Sequence, residues 1–139
     1  MLAVVAQWTG KEQVHANCVV PILVSSEQGH LKSTFCKGLL HPCLHRYYTE
    51  KFSLTSQGDA ERKLAEMALI NLAEFDRYSL VQMPQLKNLM QLSTLNLRKP
   101  HQKSYRLLPR IASFIGTSNR MDLLTDPSGS RRYICIEVK

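Results

Sequence analysis

The apolar positions of this chain fall into short unbroken runs separated by stretches of helical spacing. The first strong run, CVVPILV at 18–24, is largely β-branched, so it reads as a strand buried on both faces of a parallel sheet. Pro21 is the blemish in it, since proline removes a ladder hydrogen bond. A loop at 25–31 follows, and helical spacing over 32–40 stops before Pro42. A weaker strand is read in EKFSL at 50–54. Helical spacing returns in DAERKLAEM at 59–67, with Asp59 placed as N-cap. A second buried strand, 67–72, closes on the acidic AEFDRY. The next helix, over 80–92, sets Met83, Leu86, Leu89 and Met90 on one face as a packing stripe. Residues 94–108 alternate weakly about the turn-prone KPHQKS, which predicts a β-hairpin with a basic tip. A third buried strand, 111–115, ends in GTSN, and the turn TDPSGS precedes a last strand at 132–138. Strands alternating with helices predict an α/β fold: a three-layer sandwich with a largely parallel sheet and an inserted β-hairpin.

The opening MLAVVAQWTG reads as the last turns of an amphipathic helix, with Leu2, Val5 and Trp8 on one face and Gly10 as its stop. No basic segment precedes the apolar patch, which is too short to span a bilayer. Its apolar face is already running at the first residue. Residues 1–10 are therefore expected to end a helix from a truncated upstream region, with 11–139 a single domain of a longer protein. A length of 139 residues with 44% apolar content suits one domain with a real core.

Four cysteines without paired spacing and without a secretory signal make reduced thiols in a cytoplasm the default. Cys36, His41, Cys43 and His45 cluster, but their spacing matches no closed zinc motif. Tyr47 and Tyr48 are read either as base-stacking groups or as the closure of a core edge.

Charge adds a direction. Eighteen Lys and Arg against eleven Asp and Glu give a net charge of +7, which favours an anionic partner, nucleic acid or nucleotide first. Arg98, Lys99, Lys103, Arg106 and Arg110 lie along the hairpin segment with no acid among them. Such a patch binds phosphate backbones without base choice; the other reading is a solvated hairpin.

The loop SSEQGHLKSTF carries the candidate chemistry. In a phosphate-binding loop, backbone N–H groups and the following helix N-terminus point at phosphates. A lysine reaches the outer phosphates and the next hydroxyl holds Mg²⁺. Gln28, Gly29, Lys32, Ser33 and Thr34 are spaced for this between a buried strand and a helix, while Ser26 and Leu31 occupy the two glycine positions. Both a nucleotide loop, intact or decayed, and a plain strand–loop–helix fit this stretch alone. Downstream, LINLAEFD is an apolar strand ending in acids. One carboxylate at such a place orders the metal shell and the next polarises water. Glu74 is placed as the base; Ala73 stands where the metal-side acid is expected, and Asp76, two residues beyond Glu74, is read either as its substitute at the metal or as a solvent-facing acid.

The ordered set QGHLKSTF, LINLAEFDR, QLKNLMQLSTLNLRK, RIASFIGTSNR and LTDPSGSRRYICIEV resembles the virulence-associated protein E (VapE-like) family over nearly the whole chain from Trp8. GTSNR and TDPSGSRR are its most specific elements. The resemblance implies a P-loop ATPase core, AAA-like and allied to superfamily-three helicases and primase–helicases, with ATP and Mg²⁺ as cofactors. DNA would be the partner, a homo-oligomeric ring the assembly, and primase-like segments would lie upstream. It assigns the phosphates to Lys32, the metal to Ser33 or Thr34, water activation to Glu74 and γ-phosphate sensing to Asn119. Arg131 and Arg132 would act as arginine fingers across a subunit interface, and the hairpin around Lys99, His101 and Lys103, flanked by Arg98 and Arg106, would track DNA. Leu31 and Ala73 depart from the family pattern inside the catalytic centre, which implies impaired hydrolysis. The alternative is a non-catalytic basic nucleic-acid-binding or assembly module that retains the fold.

Overall fold

Five runs of the chain pair into one all-parallel sheet. In chain order they are β1 (Val20–Val24), β2 (Tyr48–Thr49), β3 (Leu69–Leu72), β6 (Ser113–Ser118) and β7 (Tyr133–Glu137), and their spatial order is β2-β3-β6-β1-β7. A separate antiparallel pair, β4 (Thr94–Arg98) and β5 (Tyr105–Pro109), forms the expected hairpin. The computed structural model describes residues 2–9, 17–27, 31–79, 81–98, 104–124 and 132–139. Four α-helices accompany the strands: α1 (Leu2–Thr9), α2 (Lys32–Gly38), α3 (Gln57–Glu66) and α4 (Gln82–Gln91).

Alternation along the strands divides the sheet into two covered faces. Val20, Ile22, Val24, Ile70, Leu72 and Phe114 point to one side and pack against α3 and α4 through Ala60, Leu64, Leu86, Leu89 and Met90. Leu23, Leu69 and Ile115 point to the other and meet Cys36 and Leu40 around α2, with Trp8 of α1 beside them. Helices on both faces make three layers, as the alternating pattern predicted. In β6 all six residues are buried. Gly116 there has a packing reason to be glycine, since a Cβ would sit 3.3 Å from Cγ1 of Ile22.

Pro21 is tolerated inside β1 although both neighbours pair with it. EKFSL is not a strand. The edge strand lies just before it, at Tyr48–Thr49, and Phe52 and Leu54 are buried without ladder pairing. Burial alone produced that apolar spacing. Asp59 does not cap α3, which starts two residues earlier after Ser56. It sits in the first turn, 2.8 Å from Arg62 and 3.1 Å from Lys63, where a carboxylate also complements the helix dipole.

Two further expectations are corrected by burial. In α1 the expected stripe divides: Trp8 packs beside Leu23, Leu69 and Ile115, Val5 is exposed, the polar Gln7 is buried, and the side chain of Leu2 lies outside the described residues. Gln7 donates to the carbonyl of Arg110 and accepts from the Asn17 amide at 2.8 Å, so polar satisfaction helps to dock this helix beside the packing of Trp8. Trp8 adds an indole bond to the Ala68 carbonyl at 2.7 Å. Arg110 is not part of a basic surface. It is 1% exposed, and its guanidinium donates to the carbonyls of Ala112 (3.0 Å) and Asn17 (2.7 Å). Burial pulls its pKa down to about 10.

None of the four cysteines is in a disulfide, and Cys36 lies in the core, where burial and then the charge of Glu50 push its thiol up to about 11. Among the described residues no group of three His, Cys, Asp or Glu could hold a metal, and no helix is long and apolar enough to cross a membrane.

Leu31 precedes α2 with φ 49° and ψ 25°, in the left-handed region. Its side chain is 70% exposed. The backbone therefore takes a glycine-type conformation at the very position where the loop pattern calls for glycine. A leucine there costs about 1–2 kcal/mol of strain.

Two stability outcomes follow from these environments. Arg110→Ala strands two buried carbonyls and is expected to cost about 3 kcal/mol in urea unfolding; a loss below about 0.5 kcal/mol, usual for a surface site, would return Arg110 to the exposed patch. Leu31→Gly removes the strain but adds about 0.5–1 kcal/mol of chain entropy, so it should be neutral or slightly stabilising. Leu31→Ala, which keeps the strain, should be the less stable of the two in the same titration.

Candidate functional site

Parallel strands end on one edge of their sheet, and here three of those ends are held in register. Val24 of β1 lies opposite Ser118 of β6, and Gly116 of β6 lies opposite Leu72 of β3. The Ser25 amide continues the ladder to the Ser118 carbonyl at 3.2 Å. The segments that leave these ends are those that sequence reasoning marked: the loop into α2, the acids after β3, and Ser118–Asn119. Chain order also reverses around β1, because the chain passes from β6 on one side of it to β7 on the other. Ligands of open α/β sheets bind outside the carboxyl ends of strands at such a switch point.

Two clusters stand on this edge. In the first, Lys32 at the start of α2 extends its ammonium to Oδ1 of Asn119 at 2.7 Å and to the Glu27 carbonyl at 3.4 Å. Both partners are neutral oxygens, so the ammonium charge is not neutralised by them. Next to Asn119, the Ser118 hydroxyl donates to Asp76 at 2.7 Å and accepts the Arg120 amide at 3.1 Å. The Arg120 guanidinium pairs with Asp122, which holds its proton more firmly than usual.

The second cluster flanks α2 on the side of β2 and β3. The Tyr48 hydroxyl donates to Glu50 at 2.7 Å, receives the Asn71 amide at 3.0 Å and lies 3.4 Å from the Ser33 carbonyl. Burial, together with that bond to the Glu50 carboxylate, raises the Tyr48 pKa well above its ordinary value. Asn71 is fully buried, and its Oδ1 has no partner.

The remaining predicted residues are placed as follows. Thr34 is exposed, one position beyond Ser33 on α2. Glu74 leaves β3 at the same carboxyl edge, in a left-handed conformation with φ 53°. Its carboxylate pairs with Arg77 at 2.7 Å and lines a cleft with Ser53, Leu54 and Tyr78. The expected metal pair, Ser33 and Asp76, is divided between the two clusters. Arg132 lies at the opposite edge: its carbonyl accepts from Val20, the first residue of β1. With five residues of β7 between, it stands roughly 16 Å from the carboxyl edge of the sheet in its own chain. Arg98 and Arg106 are on the hairpin, in register with Tyr105 and Leu97. Gln28, Gly29, Lys99, His101, Lys103 and Arg131 lie outside the described residues.

Sequence reasoning passed over Glu50 and Asn71 as site residues and read Tyr48 as a base-stacking group or the closure of a core edge. A polar side chain inside the buried run LINL was the available signal, since a fully buried amide in a strand needs partners.

The comparisons with known proteins agree with this architecture. The chain is similar to solved structures of the C-terminal region of NrS-1. One apo structure (residues 305–718) matches at 18% identity and TM-score 0.62, covering 98% of this chain and 34% of that one. Two A-form apo structures of the same region match at 19% and 22% identity, each with TM-score 0.62, covering 99% and 98% of this chain and 32% and 33% of theirs. This chain thus spans about a third of the length of those structures, and at such identities the likeness is one of fold. No curated protein matches. The model of the virulence-associated protein E-like domain matches residues 5–139. With nearly every residue inside that match, the chain belongs to the virulence-associated protein E-like domain family.

Proposed function

We propose that this chain is the P-loop ATPase-type core of a DNA-acting protein of the primase–helicase kind, able to bind a nucleoside triphosphate and impaired in hydrolysing it. The observation that carries the reading is the 2.7 Å contact between Lys32 and Asn119 across the ends of β1 and β6. A cation whose contacts among the described residues are neutral oxygens, at the switch point of a parallel sheet, is prepared for an anionic ligand. In this reading Lys32 binds the outer phosphates, with Gln28 and Gly29 of the preceding loop and Ser33 or Thr34 beside it, and Asn119 senses the γ-phosphate. Glu74 orients water, after leaving its ion pair with Arg77. ATP and Mg²⁺ are the cofactors, and the metal supplies charge neutralisation at the phosphates. Arg131 and Arg132 act on the site of a neighbouring subunit in a ring, which is consistent with Arg132 lying far from its own site.

Impairment rests on position and charge. Phosphoryl transfer is catalysed almost wholly by both, and Ala73 contributes no carboxylate after β3. Leu31 sets a strained side chain beside the loop. The family membership supports a DNA-processing role, and the basic hairpin supports contact with the strand.

One observation favours the second reading, a non-catalytic nucleic-acid-binding or assembly module. On the hairpin, Arg98 lies directly opposite Tyr105 on one face of the exposed pair. A cation beside an aromatic ring is a platform for phosphate and base together.

Titration calorimetry with Mg-ATP separates the two. The first reading expects binding that Lys32→Ala weakens at least about tenfold, roughly the loss of one charge-assisted contact; no nucleotide heat in the parent chain leaves only the second. For the hairpin, Arg98→Ala is expected to lower the slope of log affinity against log salt for single-stranded DNA by about 0.7. An unchanged slope takes Arg98 out of the DNA contact.

A further inference from the structure

The gap in the proposed site is the metal-side acid. Ala73 cannot supply it, and Asp76 is engaged with Ser118 on the Lys32 side of α2. The other flank of α2 holds a carboxylate that the motif pattern does not include. Glu50 follows the short edge strand β2 directly, so the parallel pairing of β2 with β3 carries it to the same carboxyl edge. Its Oε1 lies 2.7 Å from the Tyr48 hydroxyl and 3.4 Å from Nδ2 of Asn71, and that same hydroxyl is 3.4 Å from the Ser33 carbonyl. Glu50 is exposed, so a ligand can reach it.

Asn71 is the independent observation. It points from β3 toward α2 with its amide nitrogen shared between Tyr48 and Glu50, yet its oxygen has no partner while the residue is fully buried. An orphaned buried acceptor costs about 1–3 kcal/mol and calls for an explanation such as a missing water or ion. An amide oxygen, a carboxylate and the hydroxyl of Ser33 are all hard oxygen donors. Magnesium is usually held by one or two carboxylates plus substrate phosphates, so a full protein cage is not needed.

We propose that Glu50, on the strand beside the expected acid position, supplies the carboxylate for the divalent cation of the bound nucleotide, with Asn71 and Ser33 completing the protein side of the site. This rests on the nucleotide reading above and moves the metal-side acid from the end of β3 to the end of β2. Tyr48 is a positioning residue that holds the carboxylate against α2 until the cation arrives.

The test compares the affinity of N-methylanthraniloyl-ADP for the chain and for E50Q, in MgCl₂ and in EDTA. The glutamine keeps both hydrogen bonds, so the fold is preserved. Magnesium should tighten binding to the parent chain by about tenfold or more, and E50Q should lose that gain while its affinity in EDTA stays the same. Electron paramagnetic resonance of Mn²⁺ with the nucleotide present should show the same loss without relying on fluorescence. Equal weakening in both media would mean that Glu50 only braces Tyr48, and would overturn the assignment. So would an E50Q that keeps the whole magnesium effect, or a parent chain that binds nucleotide with no magnesium effect. A parent chain that binds no nucleotide in either medium would overturn the nucleotide reading itself, and this inference with it.

Discussion

The register between β1, β6 and β3 is the constraint on which the rest of the molecule depends. Pairing Val24 with Ser118 and Leu72 with Gly116 brings together three chain ends separated by dozens of residues. Slip that register by one residue and every side chain changes face, so each would meet the packing of the opposite covered layer. Gly116 helps to fix it, because a Cβ there would press on Cγ1 of Ile22 at 3.3 Å and push it back by a few tenths of an ångström. The site is thus a by-product of how tightly the centre of the sheet is packed.

Polar groups then decide what the packed sheet can do. Three buried or half-buried devices recur around it: Gln7 with Arg110, Ser118 with Asp76, and Tyr48 with Glu50 and Asn71. The first is fully internal and only joins α1 to the sheet. The other two open on the carboxyl edge and flank α2 on opposite sides, so Lys32 and Ser33, adjacent in sequence, face different neighbours. A helix rotates successive residues by about 100°, and that rotation separates Lys32, which meets Asn119, from Ser33, whose carbonyl meets Tyr48. The strain at Leu31 fits the same picture. The entry to α2 keeps a glycine-type geometry although a leucine occupies it.

Much of the fold was legible along the chain. A largely β-branched apolar run marked β1 and shorter buried-type runs marked β3 and β6, as strands covered on both faces allow, and the weak alternation about KPHQKS marked the hairpin. The misreadings share one cause. EKFSL, the Val5 stripe of α1 and Arg110 were each judged by local spacing, while their burial is set by residues far away: the Arg110 carbonyl is 103 positions from the Gln7 amide that it accepts.

By itself the sequence determined the class of fold, the order of the layers, and the candidate residues Lys32, Glu74 and Asn119, because periodicity and local chemistry are properties of neighbouring residues. Tertiary structure alone decided which acids stand beside α2, that Arg132 lies at the far edge, and that Glu50 meets Asn71. Those are contacts between different strands, set by register and strand order, and no local pattern encodes them.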